Sequence, residues 1–255
     1  LLLTPRETTH QLNASLGGTV SQGALTLTLL PNGIADAAGN RYTGTVALSI
    51  DHGRPGDVDF GFRMPGGDFM AFDAQGRERF LLSYGYVTVE LHGSSGQPLN
   101  VAPGQTAEIR LAIPPAQRST APQRMPVWHF DTEAAIWKEA GEFQRVGNAY
   151  VGRVQHFSSW NCDIPSDRCT VKGRIFDCLG QLLSGGRVQV GQRLVLTDSE
   201  GNYQSFVPAE LRFDVRTEST ESEQGQEVGP FPAETTNDLA DLRSVDFWGY
   251  GVVSA

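Results

Sequence analysis

Residues 126–165 read PVWHFDTEAAIWKEAGEFQRVGNAYVGRVQHFSSWNCDIP. They hold three of the four Trp, two of the five His and one of the three Cys. Val127-Trp128-His129-Phe130 predicts one short strand and Ile136-Trp137-Lys138 a second. Val146-Gly147-Asn148 predicts a turn, Ala149 to Val154 a third strand, and His156 to Trp160 a fourth. Aromatic and β-branched residues interrupted by Gly, Asn and Asp suit half-buried strands joined by tight turns.

The same pattern extends in both directions. Upstream, Thr19 to Leu30 alternates Leu with Ala and Thr and predicts one half-buried strand. Turns at Pro31-Asn32-Gly33 and Asp36 to Asn40 precede a strand over Tyr42 to Ile50 and a loop over Asp51 to Asp57. A crossing at Met64 to Asp68 leads to a strand over Phe69 to Phe72 and a hairpin turn at Asp73-Ala74-Gln75-Gly76. Further strands are predicted over Phe80 to Ser83, Tyr86 to Leu91 and Ala107 to Ile113, with a Pro-rich loop or linker over Pro114 to Pro126. After Pro165 the pattern restarts: Thr170 to Phe176, Gly186 to Val190, Arg193 to Thr197, Tyr203 to Val207 and Leu211 to Thr217. An acidic loop over Glu218 to Pro232 and a closing strand over Leu239 to Phe247 complete it. The expectation is an all-β chain of two β-sandwich domains in tandem. An extended segment or linker occupies 1–18, a first sandwich 19–166 and a smaller one 167–255.

Composition agrees: 29 Gly, 14 Pro and 19% charged residues suit a turn-rich β protein. There is no run of 18 apolar residues, so no membrane-spanning helix is expected. Leu1-Leu2-Leu3 is too short for the apolar core of a signal peptide, and the chain reads as a processed or excised part of a longer one. The net charge of −9 is concentrated between Leu196 and Asp246, where 12 acidic residues face 3 basic ones. No basic patch is visible, so nucleic acid is not an expected partner. The acidic block reads as a solvated face. The five His are scattered, without H-E-x-x-H or paired Cys motifs, so neither a metal site nor a cofactor is expected. Asp51, Asp57 and Asp59 are open to two readings, a cation site or a polar loop.

Cys169 and Cys178 bracket one predicted strand of about nine steps of ~3.3 Å. A disulfide needs Cα atoms within about 7 Å, which excludes that pair on a straight strand. Cys162 and Cys169 flank a turn expected at Pro165 and form the candidate disulfide, leaving Cys178 as a free, buried thiol.

Residues 168–255 resemble the carboxypeptidase-regulatory-like, or transthyretin-like, domain. The resemblance rests on Val171-Lys172-Gly173-Arg174, the Asp177 to Gly180 turn, Gly185-Gly186-Arg187-Val188 and Thr197-Asp198-Ser199-Glu200-Gly201-Asn202-Tyr203. It implies a transthyretin-like or Ig-like sandwich, a fold that does not specify function. The first two thirds resemble the extracellular region of cartilage intermediate layer protein and its bacterial, Bacteroidetes-type, surface relatives. That likeness is carried by Tyr42-Thr43-Gly44-Thr45-Val46, Met64-Pro65-Gly66-Gly67, Trp128-x-Phe130-Asp131, Trp137, Gly141, Tyr150-Val151-Gly152 and above all His156 to Asp163. It implies a secreted or cell-surface, outer-membrane-associated protein.

The His156-Phe157-Ser158 run also resembles the self-cleaving function-to-find domain of inflammasome sensors. That resemblance implies chain cleavage between Phe157 and Ser158, with His129 and Glu133, four residues apart, as the assisting pair. Ser158 Oγ attacks the Phe157 carbonyl, His129 or His156 takes the hydroxyl proton, and water resolves the ester. The plain alternative is a strand with Phe157 in the core and Ser158 in the ladder. No G-x-S-x-G elbow suggests a trans-acting serine enzyme. Trp128, Trp137 and Trp160 are either core or an exposed platform for sugar. Three functions therefore stand: a non-enzymatic extracellular structural or adhesion module, a self-cleaving module, and a carbohydrate-binding module. Expected partners are proteins or neighbouring copies through sheet edges, with Leu1 to Leu16 able to pair in trans as an added strand.

Overall fold

The computed structural model describes residues 10–57, 60–217 and 225–244. Strands β1 (His10–Asn13), β2 (Gly18–Gln22), β3 (Leu25–Leu29), β4 (Ile34–Asp36) and β5 (Thr45–Gly53) come first. A helical turn α1 (Phe60–Arg63), β6 (Met70–Phe72) and the 16-residue β7 (Glu78–Gly93) follow. Next come β8 (Pro98–Val101), β9 (Ala107–Ala112), β10 (Arg124–Asp131), β11 (Ile136–Val146), β12 (Ala149–Val154) and β13 (Ser159–Ser166). These form one 13-stranded sheet whose main path is β1-β5-β7-β13-β10-β11-β12-β9-β3-β2.

Period-two alternation decides what that sheet encloses. Leu25, Leu27 and Leu29 of β3 are buried while Thr26 and Thr28 are not. They meet Val46 and Leu48 of β5, Val87 and Val89 of β7, Ile109 and Leu111 of β9, and Tyr150 of β12 in one core. The sheet is rolled so that its two halves face each other across this core. The opposite face of β7, β10 and β11 carries a second cluster, with Trp128, Trp137, Tyr86 and Phe80 beneath Phe60, Met64, Phe69 and Met70.

The chain continues through β14 (Arg168–Phe176), β15 (Arg187–Val190), β16 (Arg193–Leu196), β17 (Asn202–Pro208), β18 (Phe213–Thr217), β19 (Gly225–Val228), β20 (Thr236–Asp238) and β21 (Leu242–Arg243). One sheet runs β17-β14-β20, with β21 also on β14; the other runs β16-β15-β18-β19. Val171, Ile175, Tyr203 and Val207 of the first meet Val188, Val190, Phe213 and Val215 of the second in a third core. The all-β expectation holds.

Several element boundaries differ from the sequence reading. Thr19 to Leu30 is not one strand: Gly23, at φ +55°, turns it into the β2–β3 hairpin, paired from Gly18↔Leu29 to Gln22↔Leu25. Phe80 to Ser83 and Tyr86 to Leu91 merge into β7, because Gly85 at φ +135° sits in a bulge opposite β13 and bends the strand without ending it. His10–Asn13, expected within a linker, is β1 and pairs with β5 of its own chain, so this part of the N-terminal segment takes an edge in cis. Residues 1–9 lie outside the described residues. Of the closing strand predicted over Leu239 to Phe247 only β21 forms among the described residues, and β20 lies just before it; both are short parallel partners of β14, while residues 245–247 lie outside the description, as do 218–224 of the acidic loop.

Candidate functional site

β12 pairs with β9, whereas β13 pairs with β7 and β10, so residues 155–158 must carry the chain across the sheet. His156, Phe157 and Ser158 therefore form a bend between Val154 and Ser159, not the strand the alternation predicts. The Phe157 ring enters the main core and is 7% exposed. The bend's backbone is held at three successive carbonyls. Trp160 Nε1 donates to His156 O at 3.1 Å. Asn100 Nδ2 donates to Phe157 O at 3.2 Å, and Asn100 Oδ1 accepts from Phe157 N at 2.6 Å. The Val89 amide donates to Ser158 O at 3.4 Å.

His129 lies opposite Trp160 in the β10–β13 register. Its ring meets that of His156 edge-on, centroids 5.4 Å apart, and both imidazoles pack on Trp160, at 6.0 and 5.0 Å. His129 Nδ1 is buried without a partner. Burial first, then the neighbouring His156 and Lys138 against the opposing pull of Asp131, holds the His129 pKa below its ordinary value. Glu133 is exposed in the Asp131 turn, donates its amide to Asp131 Oδ1, and its carboxylate makes no bond to His129. The acid near His129 is Asp131, whose Oδ2 accepts from Lys138 Nζ at 2.5 Å; that bond leads in lowering its pKa to about 2.

The structure thus gathers His129, His156 and Trp160 beside the Phe157-Ser158 bond and leaves Glu133 outside. Ser158 Oγ donates to Ser159 O at 3.3 Å, and no hydrogen bond joins it to either His. None of residues 155–158 has positive φ. One group suits acyl chemistry: Asn100 Nδ2, which touches the oxygen where negative charge would develop. Sequence reasoning missed Asn100 because it is a lone residue on a four-residue strand, 57 positions upstream of its partner.

Other candidates resolve differently. Trp128 and Trp137 are fully buried, and Trp160 is 6% exposed. Their indole N–H groups donate to Asp163 O, Pro65 O and His156 O. The exposed sugar platform is therefore corrected: these rings are core. The Cys162–Cys169 disulfide is corrected as well, since all three Cys are free thiols. Pro165 does not turn the chain but stays in β13 opposite Leu81. Seven extended steps of ~3.3 Å then put Cys162 and Cys169 in separate cores, far beyond bridging distance. Cys178 is exposed, not buried. Asp51 is taken up by Arg63 and by Tyr86 Oη, and Asp57 by Arg54; Asp59 lies outside the described residues.

A polar cluster lies behind β13. Asn161 Nδ2 donates to Asp163 Oδ2, and Ser83 Oγ donates to Asn161 Oδ1 at 3.0 Å. Asp163 is fully buried, and its Oδ1 has no partner in hydrogen-bond geometry. Burial pushes its carboxyl well above the usual range, against the pull of donors at Ser83, Tyr84 and Asn161.

No family model matches the chain, and no curated protein matches it. None of the three sequence resemblances thus gains support from a family. Among solved structures, the Bacillus anthracis TIE protein aligns over 92% of this chain at 11% identity and a TM-score of 0.24. This chain spans 39% of that protein's length. BcpA*(D312A), the major pilin subunit of Bacillus cereus, aligns over 88% of this chain and 94% of its own, at 8% identity and a TM-score of 0.20. Likeness at this level carries neither fold nor function. No helix among the described residues is long and apolar enough to cross a membrane.

Proposed function

We propose that the chain is a non-enzymatic structural and interaction module of an extracellular or cell-surface protein, one that fixes the spacing between the units it joins. One observation carries this reading. The chain leaves the main sheet on β13 and enters the next on β14 with only Asp167 between them. Ion pairs brace that passage: Arg79 to Asp167 at 2.7 Å and Arg168 to Glu78 at 2.9 Å. A short, extended, braced connection transmits position; a flexible linker does not. Limited proteolysis of the native protein tests it. The expected result is resistance at residues 166–168 until global unfolding. Early cutting there, releasing two folded halves, would contradict the spacer.

Self-cleavage at Phe157-Ser158 is the second reading, favoured by the Asn100 donor on the Phe157 carbonyl. It requires Ser158 Oγ to leave Ser159 O and a base to reach it. Partners are proteins or neighbouring copies, met through the outer edges of terminal strands such as β2.

A further inference from the structure

β7 pairs with β6 as far as Phe80 and with β5 from Tyr86 onward. On that edge, no strand among the described residues lies beside residues 82–85. Bare backbone at a strand edge needs partners. Ser83 finds them on side chains from distant parts of the chain. Gln192 Oε1 accepts from Ser83 N at 2.8 Å, and Gln192 Nε2 donates to Ser83 O at 2.9 Å. Gln117 Nε2 donates to the same carbonyl at 2.9 Å. A carboxamide offers the same acceptor and donor that a neighbouring strand would.

Gln192 is presented stiffly. It sits with Gly191 at the tip of the β15–β16 hairpin, where Gly191 takes φ +57°. The Gly191 amide donates to Asp214 O at 2.8 Å, and Gln189 Nε2 donates to Gly191 O at 2.7 Å. The receiving side is equally fixed: Ser83 Oγ accepts from the Gly85 amide at 3.1 Å and reaches the buried Asn161. Cavities of about 240 and 260 Å³ lie on either side of Gln192, one toward Pro55 and Phe60, the other toward Phe80 and Leu211. Phe206 of β17 also packs on the second core and the Arg187 guanidinium lies over the Phe62 ring at 5.3 Å, but it is the Gln192 carboxamide that pairs with the bare Ser83 backbone on both its N–H and its C=O. At Gly61 the helix α1 approaches β16 so closely that an added Cβ would lie 2.7 Å from Leu194 N.

We infer that Gln192 is a strand-mimicking key that holds the C-terminal sandwich against β7, and that withdrawing it frees the joint at Asp167. This rests on the spacer reading. The test compares wild type, Gln192→Ala and Gln192→Glu by Ser83 amide exchange (NMR) and by small-angle scattering. Gln192→Glu keeps the size but turns a carboxylate toward Ser83 O. Gln192→Ala should speed Ser83 exchange by about 10-fold or more, whereas Gln192→Glu keeps an acceptor for Ser83 N and loses only the donor to Ser83 O, so it is read by scattering; both should leave Val87 and Val89 protected and change scattering from one rigid body to two mobile ones. Gly61→Ala, which wedges the same contact without touching Gln192, should loosen the scattering in the same direction. Unchanged Ser83 exchange in Gln192→Ala and unchanged scattering in both Gln192 variants, with wild type rigid, would overturn the key and leave the spacer standing. Wild type that already scatters as two mobile bodies would overturn the spacer reading itself.

Discussion

Asp163 and His129 each make stability depend on pH, with opposite signs. Burial raises the Asp163 pKa in the folded state, so folding keeps a proton that the unfolded chain releases above about 3.8. Its stabilising share is complete below that value and is lost as pH rises toward the folded pKa. Asp163→Asn keeps a neutral group there. Its stability should gain on wild type by up to about 1.4 kcal/mol per pH unit above 4, measured by urea unfolding at several pH values. Parallel curves would show that Asp163 is ionised in the fold. His129 runs the other way: its lowered pKa means that stability is complete above 6.5 and falls as pH drops below it. His129→Phe, which keeps an aromatic ring on Trp160, should flatten the loss between pH 7 and pH 5. Asn100→Ala strips both partners from the Phe157 peptide and should cost about 1–3 kcal/mol in thermal or urea unfolding. Neither the role of Asn100 nor the burial of Asp163 was legible in the sequence. Each takes its role from strands that meet only through the sheet order, and the sequence marks the HFSSWNCD run without saying which residues face each other.

At the scale of elements, local signals were read well where the local chain decides. Asp73 Oδ1 accepts from the amides of Gln75 and Arg77, and Asp198 Oδ1 from Glu200 and Asn202, so both turns carry their own hydrogen bonds and both were visible. The strand over Ala149–Val154 matches its predicted bounds. The 155–158 bend was not legible, because its cause is the change of partner from β9 to β7 and β10. The unbent Pro165 has the same kind of origin, since pairing with β7 keeps the chain extended. This continuity fixes the thiol chemistry. A thiol reagent should titrate one Cys, Cys178, in the native protein and all three after denaturation, and reductant should leave the melting temperature unchanged. Protection of Cys162 is strengthened by burial, which pushes its thiol pKa well up. Trp137→Ala should cost about 3–5 kcal/mol, as removal of a fully buried Trp with a bonded indole.

Over the whole molecule, three apolar cores are joined without a long linker. The first two lie within residues 14–162 and the third within 169–242. His156-Phe157-Ser158 serves this architecture as a backbone crossing pinned by Asn100, Trp160 and Val89. The His129–His156 pair packs beside it as part of the same support. On this account the Phe157-Ser158 peptide is a structural element, and the chain leaves purification in one piece. Mass spectrometry of the denatured wild-type protein tests this most directly. The account predicts a single species at 27.7 kDa, identical in behaviour to Ser158→Ala. Two fragments, one beginning at Ser158 and both absent from Ser158→Ala, would contradict it.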